Sequence, residues 1–134
     1  MNGEAISPRQ RETIGEAVLL SGLTSVTSGR WKEYRKVLDS LTDRAHKMRV
    51  QGAGVIDQCW AAMGRVDAFF QYGLYAWDKA AASLIAQEAG AQIGSPGNIK
   101  GFSLEAPSIL VANPKLYLEF EKVIIESEKK LEHS

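Results

Sequence analysis

The chain is short of the residues that usually announce a chemistry. Among its 134 residues there is one cysteine, Cys59. That excludes an internal disulfide and a cysteine-built zinc cluster. Net charge is absent: sixteen basic and sixteen acidic residues cancel, and the pI is near 6.7. No global field draws the chain to nucleic acid or an anionic membrane. No apolar run approaches the ~20 residues of a membrane span. The opening Met1-Asn2-Gly3-Glu4-Ala5-Ile6 lacks the basic-then-apolar form of a signal peptide. The expectation is a cytoplasmic protein with neither nucleic-acid nor membrane partners. The two histidines, His46 beside Lys47 and His133 near the end, suggest no Ser-His-Asp or Cys-His arrangement.

What is present is an ordinary globular composition, 45% hydrophobic and 24% charged, and one domain's worth of chain. Glu16-Ala17-Val18-Leu19-Leu20 reads as a buried strand closed by Ser21-Gly22. Trp31, Tyr34, Val37, Leu38, Leu41 and Ala45 recur at helical spacing, so residues 30–46 form an amphipathic helix. Lys47–Val50 reads as a short strand. A helix follows Gly52-Ala53-Gly54, with Val55, Ile56, Cys59, Trp60 and Met63 on its apolar face and Gly64 at its end. Val66–Tyr72 is a strand rich in aromatics. The next helix carries an apolar stripe of Trp77, Ala80, Ala81, Leu84, Ile85 and Ala89 and stops at Gly90. Residues 91–107, with Gly94, Pro96, Gly97 and Gly101, read as short strands joined by turns. Ser108–Ala112 is a buried strand. Asn113-Pro114 starts a last helix lined by Leu116, Tyr117, Phe120, Val123, Ile124 and Leu131. Apolar strands alternating with helices predict an α/β fold with a mainly parallel or mixed sheet of about five strands between helices.

Three places carry candidate chemistry. Asp78 begins a helix immediately after Trp77, where a carboxylate either caps free N–H groups and complements the helix dipole or holds a cation or a polyol hydroxyl. Gly52-Ala53-Gly54 opens a helix, where exposed N–H groups can cradle a phosphate; an ordinary strand-to-helix turn has the same composition. Gln71 lies on the strand leading to Trp77-Asp78, either as a polar residue on one strand face or as an amide that binds a polyol hydroxyl. Cys59, beside Trp60 and Met63, reads as a packing residue rather than a nucleophile.

These pieces also form a series. Asn2-Gly3-x-x-Ile6, Ala17-Val18-Leu19-Leu20-Ser21-Gly22, Gly52-Ala53-Gly54, Ala61-Ala62-Met63-Gly64-Arg65-Val66-Asp67-Ala68, Trp77-Asp78-Lys79-Ala80-Ala81-Ala82, Glu88-Ala89-Gly90 and Ala112-Asn113-Pro114 occur in this order. The series resembles the C-terminal half of the inositol monophosphatase family of Mg²⁺-dependent phosphatases. The resemblance implies the family's C-terminal α/β domain over residues 1–134, with the N-terminal metal-binding domain absent. It implies hydrolysis of a phosphate monoester such as a myo-inositol monophosphate. Asp78 would be a metal ligand and substrate contact, and Gly52, Ala53, Gly54 and Gln71 would be substrate contacts. No catalytic residue is assigned.

Most metal ligands of the family lie in its N-terminal half, in a Glu-containing helix and an Asp-Pro-x-Asp-Gly-Thr motif. This chain has no Asp-Gly dipeptide. Other departures fall at Gln71, where the family has a glutamate, at Ala53, where it has a hydroxyl residue, and at Ala82 and Ala91, where it has glycines. The chain alone is therefore expected to be inactive, partnered by a missing N-terminal half or by copies of itself. The alternative is a non-catalytic truncated relative, a stand-alone or oligomerising α/β domain in which Asp78 is only a cap.

Overall fold

The computed structural model describes residues 13–22, 31–50, 54–72, 76–96 and 108–132. After a single 3-10 turn at Ile14–Glu16, the order is β1 (Val18–Ser21), α1 (Trp31–Arg44), β2 (Lys47–Val50), α2 (Gly54–Met63), β3 (Ala68–Tyr72), α3 (Ala76–Glu88), β4 (Gln92–Gly94), β5 (Ser108–Ala112) and α4 (Pro114–Glu132). The five strands form one sheet in the order β2-β1-β3-β5-β4. β1 is parallel to β2 and to β3, while β5 runs antiparallel to both β3 and β4. This is the mixed α/β sheet the alternating pattern predicts.

Local sequence explains most boundaries. Asn113 caps α4, its Oδ1 accepting the Leu116 N–H at 2.9 Å. Gly64 (φ 80°) and Gly90 (φ 92°) end α2 and α3 in the left-handed conformation. In each case the following N–H reaches back to the last turn: Arg65 to the Trp60 carbonyl and Ala91 to the Ala86 carbonyl, both at 3.0 Å. β1 begins at Val18 rather than Glu16 because the 3-10 turn occupies Ile14–Glu16. β3 begins at Ala68 rather than Val66 because the turn out of α2 runs through Asp67. Of the strands expected over residues 91–107, β4 forms, and residues 97–107 lie outside the described ones.

Strand alternation divides the interior into two cores. On one face Leu19, Ala68, Phe70, Tyr72, Leu110 and Ala112 meet α1 (Val37, Leu38, Leu41) and α4 (Leu116, Tyr117, Phe120, Val123, Ile124). Tyr34 of α1 stacks on Tyr72, with centroids 3.9 Å apart and 6° between the planes. The Tyr72 hydroxyl donates to Glu128 Oε1 at 2.6 Å. On the opposite face Leu20, Phe69, Ile109 and Val111 meet Ala61 and Ala62 of α2 and Ala86 of α3.

Of the stripes of α1 and α4, Val37, Leu38, Leu41, Leu116, Tyr117, Phe120, Val123 and Ile124 are buried as expected. Those of α2 and α3 are not. Ile56 is 53% exposed, Leu84 59% and Ile85 39%, and Cys59, Trp60 and Met63 are only half-buried. The inner sides are small or polar: Asp57, Gln58, Ala61 and Ala62 on α2, and Lys79, Ser83 and Ala86 on α3, each at most 3% exposed. Helical periodicity shows which residues share a face, but not which face meets the sheet. Here alanines let the two helices approach the strands, and the larger apolar groups point outward.

Candidate functional site

The three parallel strands β1, β2 and β3 end on one side of the sheet. From β1 the chain crosses the first core face through α1 to β2. From β2 and β3 it crosses the opposite face through α2 and α3. The N-termini of α2 and α3 therefore face the carboxyl end of the parallel strands. The neighbours β1 and β3 send the chain in opposite directions, which leaves a crevice at that end, the usual ligand position in an open α/β sheet.

Gln71 stands in this crevice. It shares the face of Phe69, two residues earlier on β3, and is half-buried. Opposite it, one step beyond the Ser21–Phe70 pairing, lies Gly22. The Gln71 carboxamide lies so close over Gly22 that a Cβ there would overlap its Oε1 and Cδ. One residue earlier, the Ser21 hydroxyl donates to the Phe70 carbonyl at 2.5 Å, tying the ends of β1 and β3 together.

Gly54 is the first residue of α2, and Asp78 is the third of α3. The fold thus brings Gly54, Gln71 and the backbone of Asp78 to one end of the sheet. Gly52 and Ala53 lie outside the described residues, as does the side chain of Asp78. Among the described residues no three His, Cys, Asp or Glu side chains are grouped so as to hold a metal ion. Mg²⁺ takes near-octahedral oxygen coordination, and the described donors do not make such a site by themselves.

Two features near the site escape a sequence reading. One is Gly22, which looks like any strand-closing glycine until the register places it against Gln71. The other is the set of buried polar side chains on the inner sides of α2 and α3, Asp57, Gln58, Lys79 and Ser83, which begins in the first turn of each helix. Burial there lowers the Lys79 pKa from its ordinary value.

Asp67, in contrast, serves the far end of the sheet. It is fully buried, and its Oδ2 accepts the Val18 N–H at 2.7 Å. Its own N–H donates to the Val18 carbonyl at 3.0 Å. These bonds join the amino ends of β1 and β3. A cleft of about 430 Å³ lies away from the crevice, between β4 and the first turns of α4, lined by Ile93, Gly94, Tyr117, Leu118 and Glu121 among others. His46 is exposed, and burial raises the Cys59 pKa, which disfavours its thiolate.

A mixed α/β sheet with helix N-termini gathered at the carboxyl end of its parallel strands defines the class. Within it, residues 1–131 match the model of the inositol monophosphatase family, and the chain belongs to that family. It is 32% identical over 124 residues to the putative Nus factor SuhB of Neisseria meningitidis serogroup B, covering 92% of this chain and 47% of that protein. It is 29% identical over 128 residues to the inositol monophosphatase of Dictyostelium discoideum, covering 94% of this chain and 47% of the relative. The crystal structure of the extragenic suppressor protein SuhB from Bartonella henselae superposes with a TM-score of 0.82 at 22% identity, over 92% of this chain and 47% of that one. The chain thus spans about half the length of the relatives it matches.

Proposed function

We propose that this chain is the C-terminal half of an inositol-monophosphatase-like, Mg²⁺-dependent phosphomonoesterase, binding a phosphorylated polyol such as a myo-inositol monophosphate and inactive unless an N-terminal half is supplied. The observation that carries this reading is the meeting of Gln71, Gly54 and the start of α3 at the carboxyl end of β1 and β3, in a chain of this family. Gly52, Ala53 and Gly54 present backbone N–H groups to the phosphate at the start of α2. The Gln71 amide hydrogen-bonds a ring hydroxyl of the substrate. Asp78, at the start of α3, touches the substrate and gives one carboxylate to the metal. Magnesium supplies charge neutralisation and an activated water when its ligand set is complete, and the remaining ligands come from the other half.

The test is phosphate release from myo-inositol 1-phosphate with Mg²⁺. The chain alone gives no turnover. Hydrolysis by the chain alone that disappears in Asp78→Asn would overturn the proposed dependence on a second half.

A second reading rests on a separate observation. The outer face of α2 and α3 exposes Ile56, Leu84 and Ile85, and exposed apolar patches of this kind mark association surfaces. In that reading the chain is a non-catalytic, self-associating α/β domain. Sedimentation that shows a monomer at high concentration contradicts it.

A further inference from the structure

We infer that Gly22 is a positioning residue for the Gln71 amide: the missing side chain at the end of β1 is the seat on which that amide rests. This deepens the reading of Gln71 as a substrate contact and rests on it.

Ser21 pairs with Phe70, so the next residues, Gly22 and Gln71, stand opposite each other on the α2–α3 face. Leu20 and Phe69 fill that face directly beneath them. One residue earlier the two strand ends are tied together, because the Ser21 hydroxyl donates to the Phe70 carbonyl at 2.5 Å. The Gln71 carboxamide lies over the bare backbone of Gly22, in the space a side chain there would fill.

The nature of the overlap decides what a side chain at position 22 would do. The atoms a Cβ would meet are Oε1, Cδ and Nε2 of Gln71, the far end of a flexible side chain. Rotating that end away costs little compared with displacing backbone or a ring. A methyl at position 22 is therefore tolerated by the fold but displaces the amide from its place over the β1 backbone. Gly94 offers the contrast. There a Cβ would meet the hydroxyl and ring of Tyr117, a rigid group buried between β4 and α4, so the same substitution would strain the core. Gly22 acts on where one polar group points; Gly94 acts on packing.

The experiment compares wild type, Gly22→Ala, Gln71→Ala and the double variant by NMR and thermal denaturation. In wild type, the Gln71 side-chain amide protons show a nuclear Overhauser effect to the Gly22 α protons. In Gly22→Ala the amide resonances move and the effect to residue 22 is lost, while Tm falls by no more than about 3 °C. An amide that keeps its resonances and its contact with residue 22 in Gly22→Ala overturns the inference.

Titration with myo-inositol 1-phosphate and Mg²⁺ separates this from the reading it rests on. Gly22→Ala and Gln71→Ala each weaken binding by about three- to tenfold, the scale of one hydrogen bond, and the double variant is no weaker than either. Additive losses overturn the positioning role. Wild-type affinity in Gln71→Ala, with the Gln71–Gly22 contact seen in wild type, overturns the substrate reading of Gln71 but leaves the seating of its amide on Gly22 standing.

Discussion

The two faces of the sheet are built to different rules. The face under α1 and α4 is filled by large side chains, with Phe70, Phe120, Leu41, Leu116 and Ile124 essentially inaccessible to solvent and Tyr34 stacked on Tyr72. The face under α2 and α3 is filled by alanines against Leu20, Phe69, Ile109 and Val111, with a polar seam of Asp57, Gln58, Lys79 and Ser83. The first arrangement maximises apolar burial. The second brings two helices close to the strands and to each other, so that both N-termini reach the same crevice. The first face buries the larger helix side chains, and the second places the candidate site.

Substitutions of opposite kind should separate the two faces. On the α1–α4 face, truncation is the damaging change: Phe120→Ala is expected to cost about 3–5 kcal/mol in urea denaturation. On the α2–α3 face, enlargement is the damaging change: Ala62→Leu, at a fully buried position, is expected to cost about 1–3 kcal/mol by overpacking and to weaken ligand binding through the displaced helix. Equal tolerance of Ala62→Leu and wild type would erase the distinction.

A smaller effect separates the faces by pH. Tyr117, on the α1–α4 side, has its phenol pKa pushed well above the ordinary 10.0, first by burial, then by the charge of Glu121 and a hydrogen bond to it. The folded chain therefore holds this proton more tightly than the unfolded chain. Its contribution is complete below about pH 10, the unfolded value, and declines as pH rises beyond it. Thermal denaturation between pH 8 and 11 should show this decline in wild type and a flatter profile in Tyr117→Phe. The smallest effect belongs to the outer side of α3. Leu84→Lys, at a position 59% exposed, should change unfolding free energy by less than about 0.5 kcal/mol, while sedimentation reports any loss of association.

The two faces also differ in how legible they are in the sequence. On α1 and α4 the apolar stripes coincide with the buried sides, so Val37, Leu38, Leu41, Leu116 and Phe120 were legible as core. The ends of α2, α3 and α4 were legible too, because Gly64, Gly90 and Asn113 act through local backbone geometry. On α2 and α3 the stripes point away from the sheet. Small residues that serve close approach carry no hydrophobic signal, so Ala61, Ala62 and Ala86 could not be picked out as the contact side.

The site divides in the same way. Gly52-Ala53-Gly54, Gln71 and Asp78 stood out through spacing and family resemblance, and the fold gathers Gly54, Gln71 and the backbone of Asp78 at one sheet end. Gly22 did not stand out, because its significance depends on a strand register that no local pattern encodes.

The central claim is that the carboxyl end of β1 and β3, with the starts of α2 and α3, is the phosphate- and polyol-binding part of this chain. The most direct measurement is the map of amide chemical-shift changes when the isotope-labelled chain is titrated with myo-inositol 1-phosphate and Mg²⁺. The account predicts changes concentrated at Gly22, Gly54, Gln71 and Asp78 that diminish in Asp78→Asn. Changes confined to the β4–α4 cleft around Gly94, Tyr117 and Glu121, or none at millimolar ligand, would contradict it.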